Sequence, residues 1–277
     1  MAPGFLPGVR EWQNESYTRN GFARSGTTAP VPGAEPHGAV GARKERWGAI
    51  STMPIEVVTK DCTALTDADL GEMADMGAGA PVDFGVGLLS KAKEDWVLST
   101  TGRVDGKLVG FTFSTLERIG GTPCVLLGLV SVRRTSKRET VLRGLMHEAY
   151  HRALMAFPDE DVLIGARFVS PSGFDTFRAL SDVVPRPGYR AVGEERAWGR
   201  RLSKRFGTEG AYDEQSFTVK GTGSLAAHVD IESLKPESID ADVAALFKGL
   251  KPAKGDCLVA FGWAMAEDLL KLGSPHH

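Results

Sequence analysis

The chain has 277 residues, 42% hydrophobic and 25% charged, enough to bury one core of ordinary size and to carry appendages. Its net charge of −2 argues against a whole-chain nucleic-acid binder, although a local basic patch is compatible with it. The three cysteines, Cys62, Cys124 and Cys257, are odd in number and far apart, so neither a disulfide framework nor a cysteine-rich zinc site is expected.

No apolar run is long enough to span a bilayer, and no uninterrupted apolar stretch of secretory type opens the chain, so a cytoplasmic protein is expected. Residues 1–52 are rich in Gly, Pro, Ala and Arg and carry turn dipeptides such as Pro7-Gly8 and Pro32-Gly33. They show neither a helical nor a strand period, and the expectation is a disordered tail.

Regular structure is expected from Ile55–Thr59, a strand. Thr66 then offers a helix N-cap, with Asp67 and Asp69 in the first turn and Leu70, Met73 and Met76 at helical spacing. Val82–Lys93 reads as a second helix weakened by Gly85 and Gly87. Trp96–Arg103 and Leu108–Glu117 read as strands joined by a hairpin at Asp105-Gly106, with Gly120-Gly121 making the next turn. Cys124–Val132 is almost wholly apolar, the mark of a strand buried on both faces.

A helix follows from Lys137 to Phe157, its apolar stripe formed by Val141, Leu142, Leu145, Met146, Ala149, Ala153 and Leu154, and Pro158 closes it. Asp161–Ser170 is expected as a strand, Pro171-Ser172 as the start of a short helix to Asp182, and Tyr189–Trp198 as a last strand. Beyond residue 207 the pattern suggests a strand pair in Ser216–Val229, helices at Asp240–Leu250 and Ala264–Leu272, and a strand at Cys257–Phe261. The apolar segment around Trp263 is expected to pack this part onto the main domain.

Chemistry concentrates after the buried strand, where Arg133-Arg134-Thr135-Ser136-Lys137-Arg138 places four cations in six residues at a helix N-terminus. The positive end of the helix dipole disfavours clustered cations by a few tenths of a kcal/mol each, about 0.3 or more, and Glu139 offsets only one. The arrangement makes sense if an anion such as a pyrophosphate binds there; a solvated basic loop is the competing reading.

This order of elements, with the basic loop between the fourth strand and third helix, resembles the GNAT acyltransferase superfamily. The family's loop pattern is V-x-P-x-x-[QR]-x-x-G-x-[GA]. Val132 matches its valine, Lys137 stands for the Gln/Arg and Val141 for the aliphatic residue. The likeness covers about 145 residues of this chain. Arg134 replaces the proline, Thr140 the first glycine and Leu142 the last Gly/Ala. In the following N-P-x-A-x-x-x-Y segment, Ser170-Pro171 matches the start, Gly173 is the small residue and Phe177 takes the tyrosine position. Gly188-Tyr189-Arg190 resembles the G-[FY]-x that comes next.

The resemblance implies an α/β (α+β) fold: a GNAT-like mixed central sheet flanked by helices over residues 53–206, with a C-terminal α/β extension over 207–277. It implies acetyl-CoA or another acyl-CoA as donor and an unidentified amine as acceptor, with no membrane, and it admits a homodimer. The donor would be held by Val130, Val132, Lys137, Arg138, Glu139, Thr140, Val141, Leu142 and Ser170. The buried strand carries no carboxylate, so Glu117 is the candidate base, acting through water, and Tyr189 the candidate acid. The competing reading of Glu117 is a hairpin-edge surface charge, and of Tyr189 a packed strand tyrosine. A non-catalytic binding module of the same fold is the alternative that Phe177, Thr140 and Leu142 favour.

A rival motif lies on the long helix. His147-Glu148-Ala149-Tyr150-His151 is a literal H-E-x-x-H, in which two histidines would bind zinc and the glutamate would act as base. No third histidine follows at the usual spacing, Asp175 is the best substitute ligand, and Arg152 places a charge beside the second histidine. These residues share the face opposite the apolar stripe, expected to be solvated, with Glu148 and Arg152 paired at i, i+4. The cations Arg186, Arg190, Arg196, Arg200, Arg201, Lys204 and Arg205 form a further dense basic stretch, read as a solvated strand end or a patch for an acidic ligand.

Overall fold

A computed structural model describes residues 55–78, 84–135, 137–221 and 239–273, with the side chain of Asp175 excluded. The expected N-terminal tail and most of the Ser216–Val229 pair lie outside the described residues.

The chain opens with strand β1 (Glu56–Asp61) and helices α1 (Asp67–Gly77) and α2 (Val86–Asp95). Thr66 caps α1 as expected: its hydroxyl accepts the Asp69 N–H at 3.2 Å, and the Asp69 carboxylate accepts the Thr66 N–H at 2.8 Å. Strands β2 (Leu98–Val104), β3 (Lys107–Ile119) and β4 (Thr122–Val132) follow as two hairpins. Asp105 and Gly106 both take positive φ, as do Gly120 and Gly121, which is the backbone twist that two-residue hairpin turns require. Helix α3 (Arg138–Ala156) then crosses to strand β5 (Val162–Phe168).

From here the structure departs from the sequence expectation. Residues Pro171–Phe177 form only a 3-10 segment, and Ser181–Val184 is a strand, β6, rather than the end of a helix. The expected strand Tyr189–Trp198 is not formed: residues 189–192 are irregular and the remainder opens helix α4 (Gly193–Arg205). The helix has acids at its first turn (Glu194, Glu195) and bases at its last (Lys204, Arg205), matching its dipole, and buries Trp198 and Leu202 at i, i+4. The short strands β7 (Tyr212–Asp213) and β8 (Thr218–Val219) pair with each other. Helix α5 (Ala241–Leu246) stops short of the expected Leu250. Strand β9 (Cys257–Ala264) and helix α6 (Ala266–Leu272) close the described chain.

Among the described residues, nine strands form one mixed sheet in the order β1-β2-β3-β4-β5-β9-β8-β7, with β6 also on β9. Every pairing is antiparallel except β4 with β5, the pair joined by the α3 crossover. The described part of 207–277 therefore enters the sheet itself, β9 lying directly against β5. β4 and β5 are buried along almost their whole length, as strands covered on both faces must be.

Side-chain alternation sorts the helices onto two faces. Gly110 of β3 lies under Val141 and Leu145 of α3, whereas the next residue, Phe111, meets Phe84 ahead of α2 on the opposite face. Leu202 of α4 sits over Gly165 of β5 on the same side as Leu126 of β4. The sheet is thus covered by α3 on one face and by α1, α2 and α4 on the other. Among the described residues no helix is long and apolar enough to cross a membrane.

Candidate functional site

The parallel ladder between β4 and β5 is short. It runs from Cys124 opposite Leu163 to Leu127 opposite Ala166, while β4 continues to Val132 and β5 to Phe168. Opposite β3, the register slips within the same stretch: Ser114 faces Leu127, but Thr112 faces Val130. One residue of β3, Phe113, therefore stands opposite two of β4, Gly128 and Leu129, which is a β-bulge. A bulge bends its strand and increases its twist, which carries the end of β4 away from β5. The result is a split between two parallel strands, lined on the β4 side by backbone that no β5 ladder uses.

The basic loop stands at the end of this split. Arg133 donates its N–H to Val109 O at 2.8 Å, keeping the loop against β3. Arg133, Arg134 and Lys137 are exposed, and Lys137 is the N-cap of α3. A lysine cannot accept the N–H groups of the first turn, so this helix start has no side-chain cap. Thr135 serves partly in its place, its hydroxyl accepting the Lys137 N–H at 3.3 Å and its carbonyl the Arg138 N–H at 3.1 Å. Glu139 and Thr140 are exposed at the helix start, while Arg138, Val141 and Leu142 are buried. Thr140, which stands where the resembled loop pattern has a glycine, is exposed. Val130 and Val132 are buried in the core. Ser170, just past β5, shares a 3.0 Å hydrogen bond with Ser172.

The expected donor-binding residues thus gather at the C-terminal ends of β4 and β5. Of the two expected catalytic residues, Glu117 stands apart from them. Glu117 lies opposite Cys124, four residues before Gly128, about 13 Å of strand from where β4 and β5 part. Its carboxylate accepts from Arg205 Nε at 2.6 Å. Tyr189, in the turn before α4, donates its hydroxyl to the Glu195 carboxylate at 3.0 Å and lies under the Arg186 guanidinium, 3.6 Å from the ring centroid. The bond to Glu195 holds the phenol above its ordinary pKa, so it yields its proton less readily. Phe177 is 2% exposed and packed edge-on against Phe168 at 4.9 Å, so the family's tyrosine position is here part of an aromatic core.

Several residues at the split carry no motif. Trp96, at the end of α2, lays its indole over Gly128. Phe206 packs on Trp96 at 6.4 Å, and the Arg205 guanidinium lies 5.8 Å from the Trp96 ring centroid. Arg167, on β5 one residue past the last pair with β4, is 5% exposed, with its guanidinium 5.2 Å from the Phe206 ring. Burial lowers its pKa, with Cys257 and Asp95 acting in the opposite sense. The one sequence signal for this group was Gly128, a lone glycine inside an otherwise apolar strand, which often marks a bulge or a close approach.

The H-E-x-x-H face is half-buried rather than solvated. Glu148 accepts from Arg152 at 2.7 Å, as expected, and also from the Thr59 hydroxyl of β1 at 3.0 Å. His151 Nδ1 bonds Gly273 O at 2.8 Å, where the end of α6 covers the helix. Among the described residues no three potential ligands converge on a metal position. Of the dense cations of residues 186–205, those from Arg196 to Arg205 are placed by α4 instead of a strand, and much of the charge is answered locally. Arg200 pairs with Glu214, Arg205 with Glu117, and Arg201 stacks on Trp198 at 4.7 Å.

No protein-family profile matches the sequence, and no curated protein matches it. Solved structures align with part of the chain. The ribosomal-protein-S18-alanine N-acetyltransferase of Escherichia coli aligns at a TM-score of 0.35 and 10% identity, over 50% of this chain and 86% of its own. Escherichia coli ElaA aligns at 0.34 and 17% identity, over 50% and 95%. A GNAT family acetyltransferase from Brucella melitensis, solved in complex with acetyl-CoA, aligns at 0.29 and 18% identity, over 39% and 75%.

Proposed function

We propose that this protein is an acyl-CoA-dependent N-acyltransferase, with acetyl-CoA as the donor and an amine as the acceptor. The observation that carries the reading is the split between β4 and β5. A bulge at Gly128–Leu129 turns β4 away after only four paired residues, and a loop rich in exposed cations stands where β4 runs into α3. An extended, amide-bearing chain can hydrogen-bond to the edge of β4 as an additional strand would. A pyrophosphate at its far end would meet Arg133, Arg134 and Lys137 together with the positive end of α3. The donor supplies an activated acyl group: the amine nitrogen forms the new bond to the acyl carbon, the carbon–sulfur bond breaks, and the thiolate takes up a proton.

In this reading Glu117 orders the α4 face through Arg205, which itself lies against Trp96, and does not meet the acceptor. Acceptor choice falls to the α1, α2 and α4 side of the split. A second reading, a module that binds a CoA-type ligand without turning it over, is favoured by the burial of Phe177 and by the engagement of Tyr189 with Glu195. The test is calorimetric titration of the protein with acetyl-CoA and with CoA, followed by a turnover screen over an amine library. Binding with turnover supports the transferase, binding without turnover the module. Absence of binding at millimolar ligand removes both.

A further inference from the structure

A cleft separate from the split runs along the outer face of α4. Its volume is about 600 Å³, the size of a small-molecule site and more than a bare inorganic ion fills. Arg200, Arg201 and Lys204 of α4 form one wall. Glu209 of the 3-10 turn Glu209–Ala211, Tyr212 of β7 and Glu214 just beyond it form the other. The three cations fall at i, i+1 and i+4, so the helix presents them together. β9 and β8 lie between β5 and β7, which puts β7 roughly 14 Å across the sheet from β5 and its split.

The walls are held before anything binds. Gly199 lets Tyr212 and Phe217 rest on the helix backbone: a β-carbon there would overlap the Tyr212 hydroxyl and stand 2.8 Å from Phe217 Cε1. Arg200 is tied to Glu214, and the Arg201 guanidinium stacks 4.7 Å from the Trp198 ring centroid. Stacking fixes the Arg201 fork without neutralising it. Arg201 and Lys204 are exposed and meet no carboxylate among the described residues, and exposed Glu209 meets no cation there. The helix dipole accounts for cations in the last turn, Lys204 and Arg205, but not for the pair one turn earlier. We infer that this cleft binds an anionic small molecule that also carries hydrogen-bond donors. Its phosphate or carboxylate lies between Arg201 and Lys204, the guanidinium taking two oxygens and the ammonium adding a point charge. Its ammonium or hydroxyl groups face Glu209. The inference does not depend on the transferase reading.

Titration of the full chain with O-phosphoserine, citrate and glycerol, read by calorimetry and by backbone 1H–15N shifts, tests it. O-phosphoserine or citrate is expected to bind at millimolar concentration or below and to move the amides of residues 200–204 and 209–214; whichever binds more tightly identifies the preferred anion. Glycerol, which has donors but no charge, is expected to move none. Arg201→Gln with Lys204→Gln, at exposed helix positions where glutamine keeps a good helix propensity, should weaken the binding about tenfold. Glu209→Gln should weaken O-phosphoserine about threefold and leave inorganic phosphate unchanged. Arg133→Gln with Lys137→Gln, in the loop before α3, should keep the affinity within about twofold, which separates this cleft from the proposed donor site. No binding of either anion at millimolar concentration, shifts confined to the Arg133–Lys137 loop or spread over every basic surface, or an affinity unmoved by the α4 variant would overturn the inference. Acetyl-CoA binding is read separately, so the transferase reading survives that result. The shift map uses the unaltered protein and stands even if a variant fails to fold.

Discussion

Asp256 holds the chain in place immediately before β9, and replacing it with asparagine isolates that role. The residue is 5% exposed. Its Oδ1 accepts the Gly221 N–H at 2.9 Å, and its Oδ2 accepts the Lys251 N–H at 2.9 Å and the Lys220 ammonium at 3.4 Å. Asparagine keeps one acceptor oxygen and turns the other position into a donor, so one of the two backbone N–H groups loses its partner. A hydrogen bond to a charged acceptor is worth about 1.5–3 kcal/mol, and Lys220, half in solvent, adds little. Asp256→Asn is therefore expected to cost about 2–3 kcal/mol at pH 7, a drop of roughly 5–10 °C in midpoint for a domain of this size. Burial works to raise the pKa of this carboxyl, but the Gly221 and Lys251 amides and Lys220 outweigh it and hold it below the ordinary 3.8. A depressed folded-state pKa contributes stability that is complete above the ordinary value and is lost as pH falls through the depressed one. In urea denaturation the difference between parent and variant should be full at pH 5–7 and shrink below about pH 4. A difference under about 0.5 kcal/mol at pH 7, or one unchanged down to pH 2.5, would refute this account.

Three further outcomes are expected. Phe177→Tyr would restore the family's hydroxyl but place it within the Phe168 and Phe174 cluster; a loss of about 1–3 kcal/mol in chemical denaturation, without gain in turnover, is expected. Leu202→Ala empties the space above Gly165, which a fully buried side chain fills beside Leu126, and should cost about 2–5 kcal/mol by the same measurement. The three cysteines are buried, and burial pushes Cys62 up to about 12 and Cys124 and Cys257 up to about 11. At pH 8 a thiol reagent should leave the native chain unmodified and titrate all three after denaturation; rapid reaction of any in the native state would contradict the burial.

The elements legible in the sequence are those whose signal is local. Thr66 followed by Asp69 specifies a cap, Asp105-Gly106 a tight hairpin, and the uninterrupted Cys124–Val132 run a strand covered on both faces. All three stand in the structure as read. The strand assigned at Tyr189–Trp198 failed although its correction was also local. Glu194 and Glu195 at one end, Lys204 and Arg205 at the other, and Trp198 with Leu202 at i, i+4 describe a helix when read across the whole of 193–205. The missed strand β6 is different in kind: Ser181–Val184 is too short to declare itself and exists because the outer edge of β9 offers it hydrogen bonds.

The strand–loop–helix unit at Val132–Val141 was determined by the sequence alone, because a buried strand, a run of cations and an amphipathic helix follow one another within the chain. Its relation to a site was not. The Trp96 indole resting on Gly128, the Arg205 bond that occupies Glu117, and the parting of β4 from β5 all join residues 30 or more positions apart or depend on a one-residue slip in register. A composition or a period cannot encode such contacts. They arise when the sheet assembles and each strand must share its hydrogen bonds between two neighbours, and at the bulge β4 keeps β3 and gives up β5.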